Sequence, residues 1–521
     1  MKKKLLTLGL IAAMTFSMAA CGGGGDEAAD PAEKTEFVMT DSEWYGIDTM
    51  QLDSTSTGTA LIAEPMFSWD EENGTLTDNI CTDWTVSEDG LTVTFNVPEG
   101  MTFSTGETLD AGDVVASIQH GLDSSPYADG YSNIESMDYE GNTVTLHLSH
   151  FTSDMMYYFS SGFLTIIDSG ELESMSNEEL MWGAHPYGPY YIANPEDYVS
   201  GSELTLTRFD DFKCENPEVE NHGPMAFETI RLRFNVEEFT EIEELKNGTI
   251  DMLGTVTADG KMELEGAEGI TLEEATYPSI YYCELNTDSP VFSDINVRKA
   301  FALALDREGW VDIVDGTITP AYSMIFDTMQ NFNQDAKDYF EENLANDVDE
   351  ANKLLDEAGW EMSDDGFRYK DGEKLAFTWY AWTDDTAIAE RMAEQLSAVG
   401  FEMSIEAIDW NYVYENINSD DYDAGIEYLS WAEPILIFNS CYYDQNAPGN
   451  NDEYREMVAK TAATIDGEER TELVGDVQMM LFENVNMIPL FSDQSFIAYN
   501  SDLKGVNVQP DGTMALNDLS Y

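Results

Sequence analysis

The stretch from Tyr281 to Glu308 joins three structural signals in a fixed order, and it commits the middle of the chain to a mixed α/β architecture. Tyr281 to Leu285 is apolar, aromatic and rich in strand-favouring residues. Asn286, Thr287, Asp288, Ser289 and Pro290 then form a cluster that cannot continue a strand. Beyond it Val297, Ala300, Phe301, Ala304 and Leu305 recur at three- and four-residue spacing. That spacing makes one apolar helix face, with Arg298, Lys299 and Asp306 off it. Read from spacing alone, this is a strand, a loop and a buried helix.

Other segments repeat the alternation. Phe37 to Thr40 is a short strand, and a small-residue helix is expected through Leu61 and Ala63, ending near Glu64-Pro65. Leu91, Val93, Phe95 and Val97 alternate with polar residues and face Trp84 to Val86 across Ser87-Glu88-Asp89-Gly90, which predicts a hairpin with one buried face. Asp110 and Asp113 cap a helix through Val114, Val115 and Ile118. Val144, Leu146 and Leu148 alternate in a strand that puts His147 on the wet face. Helices are expected over Asp349 to Ala358 and Asp385 to Val399, each closed by a glycine, with parallel strands at Phe377 to Trp382 and Phe401 to Ile408.

A chain of 521 residues can bury large cores, and its 43% hydrophobic content is that of a folded protein. Its 102 Asp and Glu against 23 Lys and Arg give a formal net charge of -79, which disfavours nucleic acid and anionic lipid as partners. The N-terminus reads as an address. Lys2, Lys3 and Lys4 precede an apolar run, Leu5 to Ala20, too short to span a bilayer and of signal-peptide length. Met18-Ala19-Ala20-Cys21 resembles a bacterial lipobox, which implies acylation of Cys21, and the run to Glu36 reads as a flexible tether. Cys81, Cys214, Cys283 and Cys441 show no metal-ligand spacing; buried thiols and disulfides both fit them. His147 and His150 lack a carboxylate at ligand spacing, so no metal and no cofactor is expected. Nucleophile elbows, phosphate loops and metalloprotease motifs are absent from the sequence, and a secreted hydrolase is the rival reading from another class.

Several phrases resemble one family. Leu285-Asn286-Thr287, Val297-Arg298-Lys299-Ala300-Phe301 and Ala304-Leu305-Asp306-Arg307-Glu308 follow one another; the run from Trp84 to Ile118 is the longest match. Tyr187-Gly188-Pro189-Tyr190, Leu245 to Asp251 and Met479 to Phe491 agree with them. Together they resemble the bacterial extracellular solute-binding proteins of family 5, the oligopeptide- and dipeptide-binding lipoprotein group. The resemblance implies an α/β, two-lobed periplasmic-binding-protein-like fold with an additional inserted domain. The implied order is a signal peptide over 1–20 and a tether over 21–36, then a first lobe over 37–60, 175–280 and 488–521. The inserted smaller domain takes 61–174 and the second lobe 281–487. It also implies capture of a small-molecule or peptide ligand, delivery to ABC permease subunits, anchoring at the outer face of the cell membrane, and no enzymatic step.

Binding residues are sought among aromatic and polar side chains facing a cleft: Trp44, Tyr45, Tyr187, Trp382, Trp410 and Trp431. In peptide-binding relatives the run after a Tyr-Asp-(Val/Ala) strand carries an Asp for the peptide's α-ammonium and, in some, an Arg for a carboxylate. Aligned on Glu433-Pro434, those places hold Ser430 and Ala424. Neither partners a buried charge, so the chain departs from the pattern for free-ended peptides. Glu427 or Glu433 is expected to replace the anchor for a cationic ligand, and Trp431 to stack on a ring or sugar. An oligosaccharide or another non-peptide solute is the alternative.

Overall fold

The computed structural model describes residues 34–521 apart from 55–56, 71–74, 277, 315, 383–385, 409–421, 442–448, 466 and 509–513. The expected leader, Cys21, the tether up to residue 33 and Trp410 lie outside the described residues.

One 13-stranded sheet runs through the molecule among the described residues. Across it, in order, lie Glu402–Ile408, Ala376–Trp382, Ala424–Leu429, Ile280–Leu285, Met487–Asn500, Met252–Val256, Glu36–Thr40, Thr229–Arg233, Glu203–Arg208 and Tyr190–Tyr191. Met487–Asn500 is the link between lobes. Its first residues pair with Ile280–Leu285, Phe491 opposite Tyr281, and its last ones pair with Ile270–Thr276, Asn500 opposite Ile270.

Alternation along each strand decides where its core lies. In the first lobe Phe37 and Met39 point into one buried cluster with Leu204, Leu206, Ile230 and Leu232. Val38 points the other way, into a second cluster with Ile242, Leu245 and Phe496. In the second lobe Ala376–Trp382 runs parallel to Glu402–Ile408, and the helix Thr386–Ala398 between them buries Ile388, Met392 and Leu396. Gly400, at φ +98°, turns the chain back into the sheet. The helix Val348–Glu357 is capped by Asp347 and buries Ala351 and Leu355.

A separate four-stranded sheet, Thr82–Val86, Thr92–Asn96, Thr143–Leu148 and Ile134–Glu140, forms a subdomain with its own core. Val93, Phe95, Val144 and Leu146 are fully buried there, and the helix Ala111–Ser124 covers them, held by a capping box between Asp110 and Asp113. His147 lies on the wet face and its Nε2 meets Asp138 at 2.8 Å.

Two readings need correction. The helix expected through Leu61 and Ala63 is a single 3-10 turn, Thr57–Leu61, because the Glu64 N–H is taken by the Tyr187 carbonyl (2.8 Å) and Pro65 disfavours helical backbone at the residue before it. Arg298, read as lying off the apolar face of Ile295–Leu303, is buried. Its guanidinium donates to the carbonyls of Phe292 (2.7 Å) and Asn484 (3.0 Å) and so ties that helix to the end of another. Cys81, Cys214, Cys283 and Cys441 are all free and buried. Among the described residues no helix is long and apolar enough to cross a membrane.

Candidate functional site

The strand Ala424–Leu429 sits in the second lobe beside the lobe crossing and leads directly into Ser430, Trp431 and Glu433. On one side it pairs with Ile280–Leu285 along its whole length. On the other, Ala376–Trp382 accompanies it only at Ala424 and Gly425. Beyond that point their pairing ends, and no strand lies alongside Ile426 and Glu427 on that side among the described residues. An extended backbone of suitable length can be received at such an edge by main-chain hydrogen bonds.

Aromatic side chains gather at the same place. Tyr281 stacks on Phe491 (4.4 Å) and meets Tyr428 (4.8 Å) and Trp382 (5.4 Å), and Trp382 meets Tyr428 at 5.8 Å. Asp493 lies two residues beyond Phe491 in the linking strand; burial raises its carboxyl above the ordinary range, while a hydrogen bond with Tyr281 draws it partly back. The rings were legible as an aromatic run, but Asp493 was not singled out. Its signal was that it is the one carboxylate in the strand Met487–Asn500.

Glu427 pairs across the strands with Tyr282, two residues from Glu284. Burial, and then the charge of Glu284, pushes the Glu427 carboxyl up to about 8. Burial pushes Glu284 up to about 7, although it accepts a hydrogen bond from the Tyr422 hydroxyl (2.7 Å). These two acids hold protons near neutral pH, and a cation brought against them would displace those protons.

The other sequence candidates have distinct surroundings. Trp44 is 4% exposed in the first-lobe core and its indole N–H donates to Asp41 (2.8 Å). Tyr45 beside it is 74% exposed at the rim of a small hollow with Ser42, Leu52 and Thr59. Tyr187 is 1% exposed and its hydroxyl donates to the Lys213 carbonyl (2.7 Å). Ala424 is fully buried, and Ser430 is half-buried. Trp431 is half-buried against rings of the subdomain, 5.4 Å from Tyr127, 6.1 Å from Phe163 and 6.4 Å from Tyr157.

Glu433 is 0% exposed and engaged within the protein. It forms an ion pair with Arg470, accepts from Ser153 Oγ (3.2 Å) and caps the helix Pro434–Ser440 through the Ile435 N–H (3.1 Å). Arg470 also donates to Ser153 (2.8 Å), so a serine of the subdomain bridges both members of a second-lobe ion pair. The sequence pointed to neither Arg470 nor Ser153, which lie 37 and 280 residues from Glu433.

Comparison with known proteins agrees on the class. The family model for bacterial extracellular solute-binding proteins, family 5 Middle, matches residues 75–448. The oligopeptide-binding protein OppA of Bacillus subtilis is 21% identical over 557 aligned positions, covering 97% of each chain. A probable di/tripeptide-binding protein of Pseudomonas aeruginosa is 21% identical over 544 positions, covering 93% of this chain and 95% of its own. Two crystal structures share the fold with a TM-score of 0.77 and 19% identity over 94% of this chain. One is the ABC transporter substrate-binding protein CtaP of Listeria monocytogenes, of which 99% is covered, and the other NikA of Brucella suis in complex with Fe(III)-EDTA, of which 100% is covered.

Proposed function

This chain belongs to the bacterial extracellular solute-binding proteins of family 5, and from that premise we propose that it captures a peptide or peptide-like solute between its lobes and hands it to an ABC permease. The carrying observation is the strand edge at Ile426 and Glu427, which among the described residues lies alongside no other strand once the pairing with Ala376–Trp382 ends at Gly425. A main chain laid there meets hydrogen-bonding groups that do not depend on its side chains, which suits a binder of varied peptides. Tyr281, Trp382 and Tyr428 flank the edge with aromatic surface. Ser430 offers a hydroxyl where relatives hold an α-ammonium with a carboxylate, so the preferred peptide has a blocked N-terminus or carries its positive charge towards Glu427. Tyr45, exposed on the first lobe, is the proposed contact from the opposite wall. Closure of the lobes would exclude water and commit the solute to transport, with no bond made or broken.

The lipid anchor is part of the same proposal and rests on Cys21 behind a charged and apolar leader. Changing Cys21 to Ala is expected to release the chain from membranes, and unchanged retention would remove the anchor from the proposal. The solute is tested by mass spectrometry of small molecules that co-purify with the protein, followed by calorimetry. Peptides bound at the strand edge should lose affinity when their amides are N-methylated, since each methyl removes a donor. Glycans in the co-purified fraction, with no peptide binding by calorimetry, would overturn the peptide reading and leave the solute-binding class intact.

A further inference from the structure

A cavity of about 420 Å³ lies on the seam between the subdomain and the second lobe, and none of its walls belongs to the strand Ala424–Leu429. Its size falls within the range of small-molecule sites. Ile435, Phe438, Val458 and Ala462 give it apolar walls from two helices of the second lobe, and Asp154 reaches it from the first turn of the subdomain helix Ser153–Ser160.

The polar groups around it are unevenly matched. Asp154 Oδ1 is buried and has no hydrogen-bond partner, and neither has Glu433 Oε2 close by. Burial raises the Asp154 carboxyl, a hydrogen bond from the Thr152 side chain draws it partly back, and the charge of Glu433 adds to the rise. The cations are engaged through their terminal nitrogens, while Arg470 Nε is buried without a partner. Arg455 at the rim donates to Asp452 (2.6 Å) and Asn450 (2.8 Å), and Arg470 is held by Glu433, Asn331 and Ser153. An anion entering the cavity would be repelled by the Asp154 carboxylate, whereas a hydrogen-bond donor would find in Asp154 Oδ1 a buried acceptor that lacks a partner.

We propose that this cavity is a second binding site, which takes a small molecule with an apolar body and a protonated amine, the amine meeting Asp154 and the body lying against Ile435, Phe438 and Val458. The site is independent of the solute carried at the strand edge. Because its walls come from two parts of the fold, its occupant holds the seam between them closed.

Calorimetry of the full chain with 2-phenylethylamine, 2-phenylethanol and phenylacetate at pH 7 tests the assignment. The amine should bind at least tenfold more tightly than either control. Asp154→Asn should abolish that preference while leaving the alcohol unchanged, and Ala459→Trp, placed on an exposed position lining the cavity, should block all three. A peptide bound at the strand edge should not displace the amine. Equal binding of amine and alcohol, absence of binding, affinity unmoved by both variants, or displacement by the peptide would each overturn the proposal. Thermal midpoints of the variants identify a loss caused by misfolding, and Ala459→Trp alone then decides the location.

Discussion

Among single residues, the Glu284 and Glu427 carboxyls have the clearest measurable consequence. Both titrate higher in the folded protein, about 7 and about 8, than the ordinary 4.5. An acid raised by folding supports the fold while protonated. Its contribution is complete below about pH 4.5 and is lost as pH rises through the folded values, so these two destabilise progressively up to about pH 8. Glu427→Gln should therefore flatten the fall of the thermal midpoint between about pH 5 and pH 8 and raise it at pH 8; an unchanged profile would remove the pair from this role. Glu433 carries the opposite expectation. With Arg470 buried beside it, Glu433→Gln leaves a guanidinium without its counter-ion and should cost about 3–5 kcal/mol in denaturant unfolding. The letters Glu-Pro before an apolar run already signal a helix start, with proline at the first helical position. What they do not reveal is a partner 37 residues away, and so Glu433 read equally well as a ligand anchor.

Secondary-structure elements were more legible than their contacts, because periodicity is local and packing is not. The hairpin at Thr82–Val86 and Thr92–Asn96, the capped helix Ala111–Ser124 and the parallel pair Ala376–Trp382 and Glu402–Ile408 all follow from alternation, spacing and caps. Arg298 shows the limit, since a cation at a helical position away from the apolar face is still buried when carbonyls of neighbouring segments surround it. Trp431 shows it again. Sequence marked it as an aromatic surface for a ligand, and the fold sets it against Tyr127, Tyr157 and Phe163, which come from a part of the chain about 270 to 300 residues earlier. Each such ring pair contributes about 0.5–1.5 kcal/mol beyond its buried area. Trp431→Ala should thus lower unfolding stability by at least ~2 kcal/mol, with Trp431→Phe losing less. Unaltered stability with weakened solute binding would instead assign the ring to the ligand.

The whole molecule carries a net charge of -79, and the sign of its response to salt separates two accounts of that charge. If ion pairs held the fold, screening would weaken it. The pairs present do not favour that outcome: Lys353 with Glu350, Arg391 with Glu394 and Arg455 with Asp452 are neighbours three residues apart on helix surfaces, a class worth little each. With 102 acidic residues and 23 basic ones, most carboxylates have no cation to meet, so repulsion between them outweighs the attraction within pairs. Raising sodium chloride from about 0.01 M to about 0.15 M shortens the screening length from roughly 30 Å to roughly 8 Å. The thermal midpoint should rise over that interval, and a fall would mean that the surface pairs outweigh the repulsion. The same field acts on the solute. A lysine-rich peptide should associate more slowly as salt increases, while an uncharged peptide of equal length should be indifferent; stopped-flow rates for the two distinguish a charge that gathers cationic solutes from one that only keeps the surface solvated.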